Sequence, residues 1–578
     1  MQIQQWRALI TATLVAAFAL SPAAANAQIV TDGRRFVPIP AERHMVVAQE
    51  AEAARVGRQI LRQGGNAVDA AVATGLALAV TLPRAGNLGG GGFMVIHTAT
   101  GENVAIDYRE MAPAAADRDM FLGADGEADP NLSRRSGLAV GVPGTVAGFA
   151  LAHARYGSGN FSFAELVAPA IALARDGFTV SDALAGILAV ERVRTRLLAD
   201  PEAASMFYAG GEPPKAGDTL KLPALAATLE RIAAEGPAGF YEGPTAKAIV
   251  ETVTEKGGRM TLQDLADYAP VVREPVTGTF KGLEVISMPP PSSGGVHLVQ
   301  MLNILEETPF GTYGLNSADM IHTMAEAARR AYADRAVYLG DPDFVDVPIA
   351  ALTSKAYAAT LRAEIGETAT PSSEVAADRG KLPAESNETT HYSVIDGEGN
   401  AVSNTYTLNF SFGVGFGAKG TGVLLNNELD DFSAKPGVPN AYGLVGGAAN
   451  AVEPRKRPLS SMTPTIVLKD GKPLLVTGSP GGSRIITTTM QIILNATVHE
   501  RDIMTATAAP RVHHQWLPDY IRIEEGISHD TIRLLEEKGH DVRIQRAMGA
   551  TQSIMVLPDG TLGGASDPRR PGGLAAGD

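Results

Sequence analysis

Apolar residues recur at helical spacing across residues 57–80, broken once by Gly64-Gly65-Asn66, so the pattern predicts a buried helical stretch that stops and restarts before Pro83. Beyond the loop Asn87-Leu88-Gly89-Gly90-Gly91-Gly92, residues 93–97 and 104–108 read as two strands turning at Thr98-Ala99-Thr100-Gly101. Residues 144–260 carry Ala and Leu three and four apart and read as mostly helical, with two more helices expected over 317–339. The pattern then changes. Residues 373–388 are polar and lack periodicity, the signature of an exposed, cleavable connector. Strand alternation follows at once: 390–395, a turn at Asp396-Gly397-Glu398-Gly399-Asn400, and 401–408. Further strands are expected at 422–425, 465–469 and 474–477, helices at 485–499 and 532–539, and a hairpin over 551–557 and 560–565. Strands and helices mix on both sides of the connector, which predicts one α+β body with a processing site inside it.

Composition narrows the chemistry. The 578 residues include no cysteine, which excludes thiol nucleophiles, thiolate metal sites and disulfides, so covalent catalysis must use oxygen or nitrogen. There are 63 acidic against 49 basic residues, a formal net charge of −14, and no Lys/Arg-rich run. No nucleic-acid partner is therefore expected. Arg7, the apolar run 8–20 and Ala25-Asn26-Ala27 form a secretory leader over 1–27, so export to the periplasm or beyond is expected. The apolar run is shorter than the ~20 residues a membrane-spanning helix needs, and no membrane association is expected.

Common catalytic motifs are missing: no G-x-S-x-G, no G-x-x-x-x-G-K-[ST], no H-E-x-x-H. Gly415-Phe416-Gly417-Ala418-Lys419-Gly420 fits G-x-G-x-x-G, but strand-like residues follow it where a dinucleotide site needs a helix. His513-His514 has no carboxylate at ligand spacing and reads as structural. No metal or cofactor is expected.

The informative segment is Asn387-Glu388-Thr389-Thr390-His391-Tyr392-Ser393, where a polar connector runs straight into a strand that opens on threonine. A threonine hydroxyl attacks an amide poorly unaided. An N-terminal threonine carries its own base, an α-amine titrating near ~7.7–8.0. Cleavage between Glu388 and Thr389 exposes that amine. By spacing alone, a threonine at a strand start is usually there for its β-propensity.

Resemblance favours the nucleophile. Thr389-Thr390-His391-Tyr392-Ser393-Val394, Thr405-Tyr406-Thr407-Leu408-Asn409, Leu424-Leu425-Asn426-Asn427-Glu428-Leu429-Asp430-Asp431-Phe432, Lys456-Arg457-Pro458-Leu459-Ser460-Ser461-Met462 and Gly478-Ser479-Pro480-Gly481-Gly482-Ser483-Arg484 resemble, in order and spacing, the small subunit of bacterial γ-glutamyltranspeptidases. Asp107-Tyr108-Arg109-Glu110 resembles the family's large-subunit substrate segment. The resemblance implies the N-terminal-nucleophile hydrolase fold, an αββα sandwich of two stacked sheets between helical layers. It also implies a large subunit 28–388 and a small subunit 389–578 in one structural body.

The implied substrate is a small molecule, glutathione or another γ-glutamyl amide, with water, amino acids or dipeptides as acceptors. Its α-carboxylate suits Arg109, whose guanidinium offers a bidentate fork, with hydroxyls from Ser460 and Ser461. Its α-ammonium suits Glu428 and Asp431, with Asn409 as a neutral helper. Gly481 and Gly482 present backbone N–H groups to an oxyanion. By resemblance Thr407 orients the nucleophile's amine, and Tyr442, within the Gly/Pro-rich stretch 436–447, covers the bound glutamyl group as part of a lid. Taken singly, Arg109 fits a surface ion pair, Asp430-Asp431 a solvated turn and Pro480-Gly481-Gly482 a plain turn. Two alternatives stand beside this reading: a glutaryl or cephalosporin acylase of the same fold, and a non-catalytic exported amino-acid-binding protein.

Overall fold

The structure is a computed structural model that describes residues 37–375, 389–435, 437–438, 440–441 and 443–578. The leader expected over 1–27 and most of the connector, 376–388, lie outside the described residues.

Strand parity organises the body. In Met45–Ala48, Val46 and Ala48 join one apolar cluster while Met45 and Val47 join another. In Gly91–His97, Met94 and Ile96 separate from Phe93 and Val95 in the same way. These strands are buried on both faces, so period-2 alternation sorts apolar residues between two cores instead of between core and water.

Two seven-stranded antiparallel sheets result. One runs in the order Leu574–Gly577, Met45–Ala48, Thr390–Ile395, Ala401–Thr407, Gly91–His97, Asn103–Tyr108, Val271–Arg273. The other runs Ile39–Ala41, Leu562–Ser566, Gln552–Val556, Lys472–Thr477, Thr465–Lys469, Leu283–Ser287, Val276–Phe280. Their inner faces share a cluster in which Val47, Phe93 and Val95 meet Ile286, Ile466, Val476 and Ile554. Helices Ala51–Arg62 and Ala67–Thr81 cover the outside of the first sheet, and Gly294–Leu305 and Arg484–Thr497 that of the second. This is the expected αββα sandwich. Both sheets draw strands from before residue 376 and after residue 388.

Local chemistry fits these elements. Asn66 caps Ala67–Thr81 and makes a capping box with Asp69, so the break expected at Gly64-Gly65-Asn66 is a helix start. Gly57 lets the two helices approach closely: a Cβ there would stand 2.2 Å from Thr74 Oγ1. Between its loops, the region 145–255 is helical with one short pairing of Phe178–Thr179 with Thr219–Leu220. The pair of helices expected over 317–339 is a single 21-residue helix, Ala318–Tyr338. Its polar centre looks like a break in the sequence, but Glu326, Arg329 and Arg330 are buried and paired with one another. Among the described residues, no helix is long and apolar enough to cross a membrane.

Candidate active site

Thr389 directly precedes the strand Thr390–Ile395, near the middle of its sheet. Thr390 pairs with Tyr406, so one step further Thr389 comes opposite Thr407, the last residue of Ala401–Thr407. Thr389 Oγ1 lies 3.4 Å from Thr407 Oγ1, at the outer limit of a hydrogen bond. Thr407 Oγ1 also accepts the N–H of Asn409 at 2.8 Å. Asn409 has φ of 71°, a left-handed conformation that Asn tolerates better than most residues, and its amide donates to Asn427 O at 2.9 Å.

Odd-numbered positions of these two strands face the other sheet and make a polar seam. His391 Nδ1 meets Thr405 Oγ1 at 2.8 Å, and Ser393 Oγ donates to Gln552 O at 2.8 Å. Ser403 Oγ donates to Thr477 O at 3.0 Å. Burial pulls His391 down to about 3, so its imidazole is neutral and works as a hydrogen-bonding spacer.

The second sheet brings the loop between Lys472–Thr477 and the helix Arg484–Thr497 beside the threonine. Gly481 and Gly482 both have positive φ, 139° and 59°. That turn precedes a helix N-terminus, where backbone N–H groups and the helix dipole favour negative charge.

The charged end of the cavity is built on the 3₁₀ turn Glu428–Asp431. Three residues per turn place residues 428 and 431 on one face. Both reach Arg109: Nη1 bonds Glu428 Oε1, and Nη2 donates to Asp431 Oδ2 at 2.5 Å. Asp430 points the other way, accepting from Ser133 Oγ at 2.6 Å and Arg134 Nε at 3.1 Å. Arg109 is held at both ends: Tyr268 OH donates to its carbonyl at 2.9 Å, and its Nε donates to Pro458 O at 3.2 Å.

Arg109, Glu110 and Glu428 are almost fully buried, which sets their ionisation. Burial raises Glu428 well above the usual carboxylate range, and Arg109 only partly offsets this. Burial likewise pushes Glu110 up to about 7, and it raises Asp431. Burial opposes the charge on Arg109, but the carboxylates of Glu428, Asp431 and Glu110 hold the guanidinium above its ordinary value.

One cavity is lined by Thr389, Thr407, Asn409, Arg109, Glu428, Asp431, Ser460, Ser461 and Gly482. A family model described as Gamma-glutamyltranspeptidase matches residues 53–577. The chain belongs to the γ-glutamyltranspeptidase family. It is an enzyme with the N-terminal-nucleophile hydrolase fold. It is 57% identical over 545 residues to a "Glutathione hydrolase proenzyme" from Escherichia coli (strain K12), covering 94% of this chain and 93% of that protein. A solved cephalosporin acylase from Bacillus halodurans superposes with a TM-score of 0.82 at 28% identity, over 95% of this chain and 98% of that one. A solved γ-glutamyltranspeptidase from Helicobacter pylori is 46% identical with a TM-score of 0.54, over 56% of this chain and 92% of that one.

Gly481 adjoins the cavity wall without lining it, and Glu388 and Tyr442 lie outside the described residues. Of the described residues near Tyr442, Leu444 lines the cavity, and Asn440 Nδ2 donates to Asp431 Oδ1 at 3.3 Å. Sequence reasoning missed Arg335, Leu444, Leu459, Met462, Ser483 and Ile485 in the lining. Leu444, Leu459, Met462 and Ser483 lie within segments quoted above but were given no role there, Ile485 directly follows one, and Arg335 comes from a distant helix that no motif marks. His513 bonds Thr487 and Gln515, and His514 bonds Asp519 and the N–H of Trp516, so both are structural. The G-x-G-x-x-G stretch forms a hairpin, Gly417–Ala418 against Val423–Leu424.

Proposed function

We propose that this enzyme cleaves itself between Glu388 and Thr389 and then transfers the γ-glutamyl group of glutathione or related amides to water, amino acids or short peptides. In maturation the Thr389 hydroxyl adds to the Glu388 carbonyl, the peptide bond gives way to an ester, and water hydrolyses the ester to free the Thr389 amine. The large subunit 28–388 and small subunit 389–578 stay in one body. In turnover the amine takes the proton of the Thr389 hydroxyl as its oxygen attacks the donor's γ-carbonyl. The donor amine leaves with a proton, and a γ-glutamyl ester remains until water or an acceptor amine takes the acyl group. Gly481 and Gly482 turn backbone N–H groups toward the oxyanion, where one such donor is worth ~10²–10³ in rate.

The observation that carries this reading is the buried Arg109–Glu428–Asp431 group in the same cavity as Thr389. A γ-glutamyl head is zwitterionic and supplies both an ammonium for the carboxylates and a carboxylate for the guanidinium. A glutaryl head lacks the ammonium and would leave Glu428 and Asp431 without a cationic ligand group, which a desolvated site penalises. Comparing kcat/KM on γ-glutamyl and glutaryl anilides tests this. Preference for the γ-glutamyl anilide is expected, and preference for the glutaryl anilide would make the chain an acylase. The leader over 1–27 supports export to the periplasm, checked by N-terminal sequencing of the secreted protein. Thr389→Ala is expected to yield one uncut, inactive chain on a denaturing gel, and two normal fragments from it would overturn the maturation scheme.

A further inference from the structure

The long helix Ala318–Tyr338 delivers one more charged group to the cavity from its last turn, Arg335. The residue is 4% exposed. Its Nε donates to Ser293 Oγ at 2.9 Å, and its Nη2 lies 3.4 Å from Ser461 Oγ. Ser293 is itself locked, donating both N–H and hydroxyl to Ser460 O at 2.9 Å. Arg109, Arg329, Arg330 and Arg511 are equally buried, and each sits against a carboxylate. Among the described residues Arg335 has none within 4.0 Å. A guanidinium buried without an anion is costly, and a bound anion removes that cost. Burial pulls Arg335 down only to about 10, so it stays charged at neutral pH.

Arg109, by contrast, has both terminal nitrogens engaged by Glu428 and Asp431 and its Nε on Pro458 O. The cavity thus holds two cations of different character, one committed to acids and one bonded only to hydroxyls. We propose that Arg335, together with Ser461, is the second cation of the donor's α-carboxylate subsite, sharing that carboxylate with Arg109. The assignment rests on the γ-glutamyl reading above. It gives the zwitterion a direction: the ammonium toward the 3₁₀ turn, the carboxylate toward the helix and the Ser460-Ser461 segment.

The test uses processed enzyme and two donors, a γ-glutamyl anilide and the 4-aminobutyryl anilide that keeps the ammonium but lacks the α-carboxylate. Arg335→Met is expected to raise KM for the γ-glutamyl donor by about 10- to 100-fold, the worth of a hydrogen bond to a charged group, with a smaller change in kcat. The 4-aminobutyryl donor is expected to lose less than threefold, and Arg335→Lys to recover part of the γ-glutamyl loss. Equal losses on both donors, or none on either, would overturn the role of Arg335 alone. Should Arg335→Met fail to process, Arg335→Lys and Ser461→Ala carry the same comparison, and donor-independent losses in both would overturn it equally. Wild-type enzyme inert on the γ-glutamyl anilide would remove the functional reading and this assignment with it.

Discussion

Asp430 and Asp431 are adjacent and chemically identical, yet the 3₁₀ turn sends them to opposite sides, which gives a sharp test of the site. Asp431 meets Arg109, whose side chain is 1% exposed, and is itself only 11% exposed at the side chain. Asp431→Asn keeps the shape and removes the charge. The substrate ammonium then loses one charge-assisted hydrogen bond, about 1.5–3 kcal/mol or roughly 10- to 150-fold in kcat/KM. The unbalanced Arg109 adds to the loss, because neutralising one member of a buried pair leaves the other charge uncompensated. Asp430→Asn disturbs bonds to Ser133 and to an Arg134 side chain that is 22% exposed, outside the cavity. Its cost falls on stability, on the order of 1–2 kcal/mol, with kcat/KM within about threefold of wild type. Steady-state kinetics on a γ-glutamyl anilide and a thermal melt of each variant give both quantities. Equal loss of kcat/KM in the two variants would refute the division of the turn into a substrate face and a structural face.

Four other outcomes are expected. Burial raises Glu110 from 4.5 to about 7 just behind the cavity lining, beside Arg109 and Glu428, so below that pH a proton there removes negative charge behind the acidic wall and weakens its hold on an ammonium. The kcat/KM for a γ-glutamyl donor should fall as pH drops through about 7, and a limb unmoved in Glu110→Gln would assign it elsewhere. The same raised pKa works oppositely on folding: its stabilising contribution is full below about 4.5 and lost as pH rises through about 7, read from melts of wild type and Glu110→Gln. Gly481→Ala meets no atom closer than 3.6 Å, so its cost is conformational, from φ of 139°. About 1–3 kcal/mol is expected, with kcat falling more than KM as the turn relaxes, and an unchanged kcat would show that the turn does not serve the oxyanion. Arg329 donates to Ser372, just upstream of residue 376, and to Asp519, so Arg329→Met should slow maturation in a gel time course while leaving the kcat of processed enzyme near normal.

The αββα body was legible because strand alternation and helix signals are strong near the site. Residues 390–395 and 401–408 alternate around a clear turn, and Asn66 marks a helix start. The hairpin Val276–Phe280 and Leu283–Ser287 was not read: its first strand carries Thr277, Gly278 and Thr279 and lies half-exposed at a sheet edge, so its pattern is weak. The short strands Ile39–Ala41 and Leu574–Gly577 owe their existence to partners over 500 residues away. Motif order put Arg109, Glu428 and Asp431 in one site, but not their mutual ion pairing, which follows from how far the cavity is shut off from water. Arg335 had no signal at all, since an arginine in a helix reads as solvated until tertiary packing buries it.

Each sheet interleaves strands from before residue 376 and after residue 388, and residues 392–395 of Thr390–Ile395 pair with Met45–Ala48. Once the Glu388–Thr389 bond is cut, nothing covalent maintains that interleaving. Heating then converts a one-molecule equilibrium into a two-body one: the mature form should melt from a stable state yet regain it slowly, at a rate set by encounter and therefore by concentration. An uncleavable precursor would find its partner strands at fixed effective concentration and recover by first-order kinetics.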